Sequence, residues 1–459
     1  MSLMTTLTDP PKESFRLSML LYDTRYRSLT IQVIALIGFM LGAAWLINNA
    51  IINLAVAGKT FNFGFLGESS GYDINQKLIE YNSQSTHLRA AFVGLLNTLL
   101  VAVMGCLAAT IIGVFMGVLR LSKNWVISRL AAVYVETLRN VPVLLWIILI
   151  MAAVSHSLPQ PKDFRGEDAT ASMSAFGSVA FTNRGVFLPE PLFSNGIGDM
   201  PIFPDTVDDP ADDKDDFGVK ACQAFYNPDG TPATTKLGKS CGKFQVSLDL
   251  IAILSVLIAG LITSKLIAYR ANRIQAATGV RPTVWYLRLG VVVIPTLAVL
   301  LLLGFHLGYP ELKGFNFKGG IHMRSSLFAL WLALSVYTSV YIAEIVRAGI
   351  MAISKGQSEA AAALGLRSNK IMSLVVLPQA LRVIVPPLIS QYLNLTKNSS
   401  LAIAVGYMDI TGTLGGITLN QTGRELETIL LLMLIYLIIS LTISTVMNYY
   451  NERTKLKER

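Results

Sequence analysis

The stretch Gln357-Ser-Glu-Ala-Ala-Ala-Ala-Leu-Gly-Leu-Arg-Ser-Asn-Lys-Ile-Met-Ser-Leu-Val-Val-Leu-Pro378 decides how the chain is read. It predicts two short helices with a break between them. Ser358 to Leu364 is Ala-rich and favours a helix. Gly365, with no Cβ to oppose a left-handed backbone, can stop it. Ser368 is placed to cap a second helix starting near Asn369, with Ile371, Met372, Leu374 and Val375 on its apolar face. Pro378 is expected to bend or end that helix.

The stretch is too short and polar to cross a bilayer, but its flanks are very apolar. Of 459 residues, 53% are hydrophobic and 15% charged, against about 25% charged in soluble domains. Several runs reach the roughly 20 apolar residues a membrane helix needs. The expected fold is an all-α integral membrane protein of about eight transmembrane helices, near 29–54, 88–119, 130–154, 246–266, 289–307, 325–346, 381–405 and 426–447. A closed β-barrel would show short alternating segments instead. The net charge of +9 resides largely beside the spans, as the positive-inside rule requires, and does not point to nucleic acid. Counting loops puts both termini in the cytoplasm, and no signal peptide is read at the start. A surface helix near 75–81 is expected in the first outer loop.

Between 155 and 245 the chain turns polar, with an acidic run at 205–216 read as a solvated outer loop. The run lacks EF-hand spacing and the four His form no ligand cluster, so no metal site is expected. Cys222 and Cys241 share this loop. Outside the cell, a disulfide between them and two free thiols are both open, and a bridge would contribute roughly 3 kcal/mol. Gly58-Lys59-Thr60 and Gly238-Lys239-Ser240 lack the Gly five positions earlier, so the chain has no phosphate-binding loop.

Polar groups inside the spans are the candidate functional residues, because a charge at membrane depth needs a partner, a pathway or water. Lys397, Asn398 and Ser399 interrupt the seventh span after Pro386-Pro387 breaks it early. A polar substrate-route lining, a structural pair of Lys397 with Asp409 and snorkelling of Lys397 to the outer surface are all open. Asn97 and Thr98 fit helix-packing hydrogen bonds or ligand contacts. Glu136 and Arg139 are three apart and can pair, with Pro142 kinking the third span just above them. Glu344 and Arg347 read as an interfacial salt bridge supporting the 357–378 stretch.

The spacing Glu359-Ala360-Ala361, Gly365, Leu377-Pro378 resembles the EAA loop of binding-protein-dependent ABC importer permeases, with Val375 where Ile is usual. Gly94-Leu-Leu-Asn-Thr-Leu99, Tyr134-Val-Glu-Thr-Leu-Arg-Asn-Val-Pro142, Tyr341-Ile-Ala-Glu-Ile-Val-Arg347 and Leu395-Thr-Lys-Asn-Ser-Ser-Leu401 resemble the polar amino acid permeases of that group. The resemblance implies a type I permease core of five spans. Residues 1–87 form a cytoplasmic segment, an extra span and an outer loop. Residues 88–155 hold the first two core spans, 156–324 an insertion with the acidic loop and two extra spans, and 325–459 the last three core spans with the coupling loop. A long chain with such an insertion is similar to the Q-type permease subunit of general L-amino acid transporters.

The resemblance makes Glu359, Ala360, Ala361, Leu364, Gly365, Leu377 and Pro378 the coupling residues. It further implies a separate ABC ATPase dimer holding ATP and Mg, with no cofactor on this chain. The remaining implied partners are a second homologous permease, a periplasmic amino acid-binding protein and, as cargo, small L-amino acids. Asn97, Thr98, Glu136, Arg139, Lys397, Asn398 and Ser399 become candidates for the substrate pathway in the bacterial inner membrane. The competing class is a gradient-driven carrier, which broken helices also fit but which has no reason to carry a coupling stretch. A membrane enzyme lacks support, since no nucleophile motif is present.

Overall fold

The computed structural model describes residues 24–56, 61–79, 81–165, 169–201 and 245–454. Cys222, Cys241 and the acidic run lie outside the described residues. The first helix, α1 (Thr24–Val56), belongs to a separate compact unit ending at Phe63. Leu36, Phe39 and Trp45 are all exposed along it, which suits a helix surrounded by lipid.

The second unit begins at Gly64. Its helices are α2 (His87–Leu119), α3 (Trp125–Arg139), α4 (Val143–Ser157), α5 (Leu248–Thr278), α6 (Trp285–Leu302), α7 (Ser325–Met351), α8 (Lys355–Ala363), α9 (Leu377–Asn398) and α10 (Glu425–Thr454). Among the described residues seven helices are long and apolar enough to cross a membrane, and α3 with α4 make an eighth crossing if counted as one.

α7 is the axis of the bundle. It packs on α2, α3, α4 and α9, and α9 in turn carries α10. In its most apolar window 61% of residues are buried, against 28% for α2, 11% for α5 and none for α6, so the core is built on α7 and the insertion helices stand at its edge. Leu330, Leu334, Ile342 and Val346 of α7 meet Val101 and Ala109 of α2, Ile147 of α4 and Leu395 of α9.

Lipid offers no hydrophobic drive between helices, so they bind through close packing of small residues. Gly113 and Gly117 of α2 lie one turn apart against α7. A Cβ on Gly113 would sit 2.6 Å from Ile342 Cβ, and one on Gly117 would sit 2.8 Å from Ala343 O. At the other face of α7, a Cβ on Gly349 would sit 2.3 Å from Ile384 Cγ1 of α9.

The structure corrects several expectations. The third span is two helices of 15 residues at 103°, not one kinked helix. Each is about 22 Å long, short of the roughly 30 Å hydrocarbon. Pro142 occupies the N-cap of α4, and the residue before a proline is driven out of the helical region. Conversely, Pro378, Pro386 and Pro387 all lie inside helical chain. A π turn at Met372–Val376 precedes α9, closed by Leu377 N–H on Met372 O. That wider turn shifts the hydrogen-bond register just where Pro378 has no N–H to give. The Pro386-Pro387 pair is carried by packing of Ile384 and Ala380 against α7, as membrane helices tolerate. Among the described residues no helix forms near 75–81. There Tyr81 Oη donates to Tyr72 O at 2.8 Å and Lys77 Nζ to Tyr81 O at 2.7 Å, so side chains draw the loop into turns.

The insertion adds β structure to the helical fold. Strand β1 (Ala180–Thr182) pairs with β2 (Gly185–Leu188), β3 is Glu190–Phe193, β4 (Asp199–Pro201) pairs with β5 (Gln245–Ser247), and β6 is Phe305–Gly308. β7 (Glu311–Lys313) and β8 (Asn316–Lys318) form a hairpin before β9 (Ile321–Arg324). β2 joins β9 with Gly185 opposite Arg324, and β3 joins β6 with Glu190 opposite Gly308, all antiparallel. The two ends of the insertion are thus zipped together, and α5 and α6 pack on each other beyond them.

Gly113→Val is expected to weaken the bundle by about 3 kcal/mol through overpacking, read as a lowered melting temperature of the detergent-solubilised chain. Gly38→Val, at a glycine with open space around it, is expected to leave that temperature unchanged.

Candidate functional sites at the two ends of the core

Within the 357–378 stretch α8 ends in a Schellman motif. Leu364 is the C-cap, and Gly365 follows at φ +76°. Leu366 N–H donates to Ala361 O at 3.3 Å and Gly365 N–H to Ala362 O at 2.9 Å, closing the orphan carbonyls. Ala361 is buried against Ile371 and Val376, with Ile350 and Ile353 from the end of α7 beside them. Glu359 and Ala360 face outward and Leu364 is 82% exposed. One face of α8 is therefore seated on its own chain, while the other presents a carboxylate and apolar groups. Leu377 and Pro378 open α9 behind it. Arg367, not Ser368, takes the N-cap position of the following turn, and no side chain caps it. Ser368 thus sits one residue inside the helix, where its hydroxyl cannot reach the first free amides.

Just above α8, Glu344 on α7 is shared by two guanidiniums. Arg347 Nε lies 3.1 Å from one carboxylate oxygen, and Arg120, at the C-cap of α2, pairs with the other. The sequence alone does not single out Arg120 as a partner of Glu344. Its signal was positional: the first cation past an apolar span lies level with the last turn of a neighbouring span. Glu136 and Arg139 do not pair. Glu136 is exposed, and the Arg139 guanidinium lies 6.0 Å from the Tyr341 ring centroid on α7, a cation–π contact. Tyr134 Oη meets Ser339 Oγ at 2.9 Å.

At the outer end, Asn97 and Thr98 are fully buried and hold the turn that follows α9. Asn97 Nδ2 donates to Gln76 O at 2.7 Å and to Met408 O at 2.8 Å. Thr98 Oγ1 donates to Gly94 O and accepts from Ile410 N–H at 3.1 Å. Tyr407 Oη donates to Asn97 O. The donors of Asn97 and Thr98 are spent inside the protein and brace the turn, while Asn97 Oδ1 is buried with no hydrogen-bond partner among the described residues. Asp409, in the same turn, is fully buried. Its carboxylate accepts from Gly412 N–H at 2.8 Å and Tyr436 Oη at 3.3 Å, and no cation pairs with it among the described residues. Burial pushes its pKa from 3.8 up to about 7 against those hydrogen bonds.

Lys397 and Asp409 therefore form no pair. Lys397 is exposed and Asn398 half-buried at the end of α9, while Ser399 is buried with Oγ on Thr396 O at 2.8 Å. His87 Nδ1 and Thr418 Oγ1, 3.0 Å apart, tie the start of α2 to a second π turn at Thr411–Thr418.

Two outcomes follow. Glu344→Gln is expected to lower stability by about 2 kcal/mol, the value of hydrogen bonds to charged groups, and a double-mutant cycle with Arg120→Met is expected to show coupling. Asp409 binds its proton more tightly folded than unfolded. Its contribution is therefore fully present below pH 3.8 and is lost as pH rises towards about 7. Melting temperature should fall across that window in the unaltered chain and stay flatter in Asp409→Asn.

Residues 281–456 match the model of the family described as binding-protein-dependent transport system inner membrane component. The chain is 53% identical over 99% of its length to the whole of the Glutamate/glutamine/aspartate/asparagine transport system permease protein BztB of Rhodobacter capsulatus. It is 39% identical over 97% of its length to 96% of the General L-amino acid transport system permease protein AapQ of Rhizobium johnstonii. It is 38% identical over 94% of its length to 95% of the Putative amino-acid ABC transporter permease protein YhdX of Escherichia coli. With seven apolar spans and a bent pair, an outward-facing helix at the cytoplasmic end of α7, and relatives of this kind along nearly its full length, the chain belongs to the inner membrane permeases of ABC amino acid transporters.

Proposed function

We propose that this chain is one permease of a heteromeric, ATP-driven, binding-protein-dependent importer of L-amino acids, with acidic amino acids and their amides among its cargo. The observation that carries the reading is α8: a Schellman-stopped helix seated by Ala361 on the end of α7, with Glu359, Ala360 and Leu364 turned outward. Such a face suits a groove on a separate ATPase dimer, which would hold ATP and Mg. A homologous permease beside this chain and a periplasmic amino acid-binding protein complete the assembly. The cargo follows from the printed substrates of the relative 53% identical along the whole chain. A wider range of L-amino acids is the second reading, favoured by the general transporter permease at 39%.

Closure of the ATPases on ATP would push α8, and through the short Ala352–Ser354 link the end of α7. Because α7 is the axis of the bundle, the core helices would then rock from inward-open to outward-open. Lys397 and Asn398 are offered as donors to a substrate carboxylate, and Glu136 as an acceptor for an α-ammonium. Arg139 lies on Tyr341, and Asn97, Thr98 and Ser399 hold the backbone behind the route.

The test is purification of the tagged chain from its native membrane, followed by uptake of labelled glutamate in proteoliposomes. An ATPase and a second permease are expected at near-equal stoichiometry, and competition by unlabelled amino acids measures the range. A chain that purifies alone and takes up substrate on an ion gradient would favour a secondary carrier. Glu359→Lys, or Gly365→Arg at its left-handed position, is expected to abolish ATP-driven uptake while the chain remains in the membrane. Intact uptake in both would remove the coupling assignment.

A further inference from the structure

From Arg382 to Asn398 of α9 the exposed residues are Val383, Pro386, Pro387, Ser390, Asn394 and Lys397. At 3.6 residues per turn they all fall within one arc of about 100°. The other faces of α9 pack on α2, α7 and α10. Ser390, Asn394 and Lys397 make no side-chain hydrogen bond or ion pair among the described residues.

The register of α9 against α2 sets the depth of these groups. Tyr392 Oη meets Thr110 Oγ1 at 2.7 Å. Arg120 marks the inner end of α2, and Thr110 stands about 15 Å from it along the helix, half of a hydrocarbon layer of roughly 30 Å. A Cβ on Gly105 would lie 3.0 Å from Leu395 Cδ2, which fixes the same register one turn further out. Ser390 and Asn394 lie two residues to either side of Tyr392, near mid-depth and away from both ends of the span. An amide or hydroxyl turned to lipid there would lose its hydrogen bonds to water with no replacement. The face that carries them therefore borders water or a polar partner. Pro386 and Pro387 have no N–H, so Arg382 O and Val383 O lose their α-helical donors at the inner end of the same arc. Read outward, the arc offers carbonyl acceptors, the Ser390 hydroxyl, the Asn394 amide and the Lys397 cation, and no acid.

Given the ATP-driven import proposed above, we propose that this face is a second cargo station, on the cytoplasmic side of Lys397 and Asn398, for amino acids with a carboxylate or carboxamide side chain. The α-ammonium takes the carbonyls of Arg382 and Val383, the α-carboxylate takes Ser390, and the side-chain carboxylate or amide takes Asn394. Val383 and Ser390 are about 10 Å apart along the helix, and Asn394 is about 6 Å further. A zwitterionic head with a hydrogen bond at each end covers the first interval, and the side chain of glutamate or glutamine covers the second. The Asn394 amide donates to a carboxylate, and both donates to and accepts from a carboxamide. One group thus serves both classes of cargo, whereas a cationic side chain finds no acid on the arc. A hydrogen bond from Asn394 to the second permease would leave the neighbouring Lys397 without an anion; a passing carboxylate supplies one.

The test is ATP-driven uptake by the assembly purified from its native membrane and placed in proteoliposomes, with labelled glutamate and labelled glutamine measured separately. The binding protein is the same throughout, so a change in their ratio arises in the permease. Asn394→Asp sets a carboxylate against that of glutamate and is expected to shift the ratio about tenfold towards glutamine. Asn394→Lys is expected to shift it towards glutamate. Ser390→Ala is expected to lower uptake of both about fivefold with the ratio unchanged. A structural role for Asn394, or a bond from it to the second permease, would change both uptakes alike. An unchanged ratio in both Asn394 variants, or a shift of the same sign in both, overturns the proposal, and if one variant does not assemble the other decides. Absence of ATP-driven uptake in the unaltered assembly removes the importer reading itself, and this station with it, before any variant is made.

Discussion

The close approach of α2 to α7 at Gly113 and Gly117 is the constraint on which the other helices depend. With no side chain on α2 at these points, Ile342 and Val346 of α7 fill the space directly against its backbone. In hydrocarbon such contact replaces the hydrophobic drive that water would supply. Once α2 and α7 are in register, Arg120 at the end of one helix falls level with Glu344 on the other, and the ion pair needs no long reach. That pair sits one helix end from α8. A force applied to α8 would thus arrive at a place where α2 and α7 are joined by both packing and charge.

The outer end is joined by different means. There the turn after α9 carries buried backbone, and buried amides and carbonyls need partners. Asn97 and Thr98 supply them across the gap, while Tyr407 returns a bond to Asn97 O. Asp409 completes the clasp by taking Gly412 N–H and Tyr436 Oη. Burial holds its proton up to near neutrality against those hydrogen bonds, and no cation faces the carboxylate among the described residues. The core is therefore tied by ion pairs at the cytoplasmic end and by a neutralisable hydrogen-bonded turn at the outer end.

Most of the spans were legible because a run of apolar residues long enough for a bilayer admits few other structures. The coupling helix was legible because Gly365 stops it for a reason that is local to the backbone. Several of the failures turned on a tertiary partner. Pro142 and Pro386-Pro387 look alike in sequence, yet the chain bends at the first and runs straight through the second. At the second, Ile384 and Ala380 lock one continuous α9 to α7, whereas at the first α3 and α4 each pack on α7 separately, through Leu138 and Ile147. Glu136 and Arg139 have pairing spacing, but Tyr341 offers the guanidinium an aromatic face instead. Asn97 and Thr98 read equally well as ligand donors or as packing bonds until the turn at 407–410 is placed against them.

Residues 156–324 show how a membrane hairpin can join a helical core without pulling on it. A segment leaving α4 and returning at α7 would, if its ends were independent, let two extra helices pull on the bundle's axis. Here β2 lies antiparallel to β9 and β3 to β6, so the outgoing and returning chains are hydrogen-bonded to each other before α5 begins and after α6 ends. Any displacement of the hairpin then acts on the two chains as one strip, and the start of α7 feels it at a single point, Arg324. This also explains why α6 needs no buried face against the core: its position is set by α5 and the strip. Helices freed in this way from packing duty keep their surfaces for lipid.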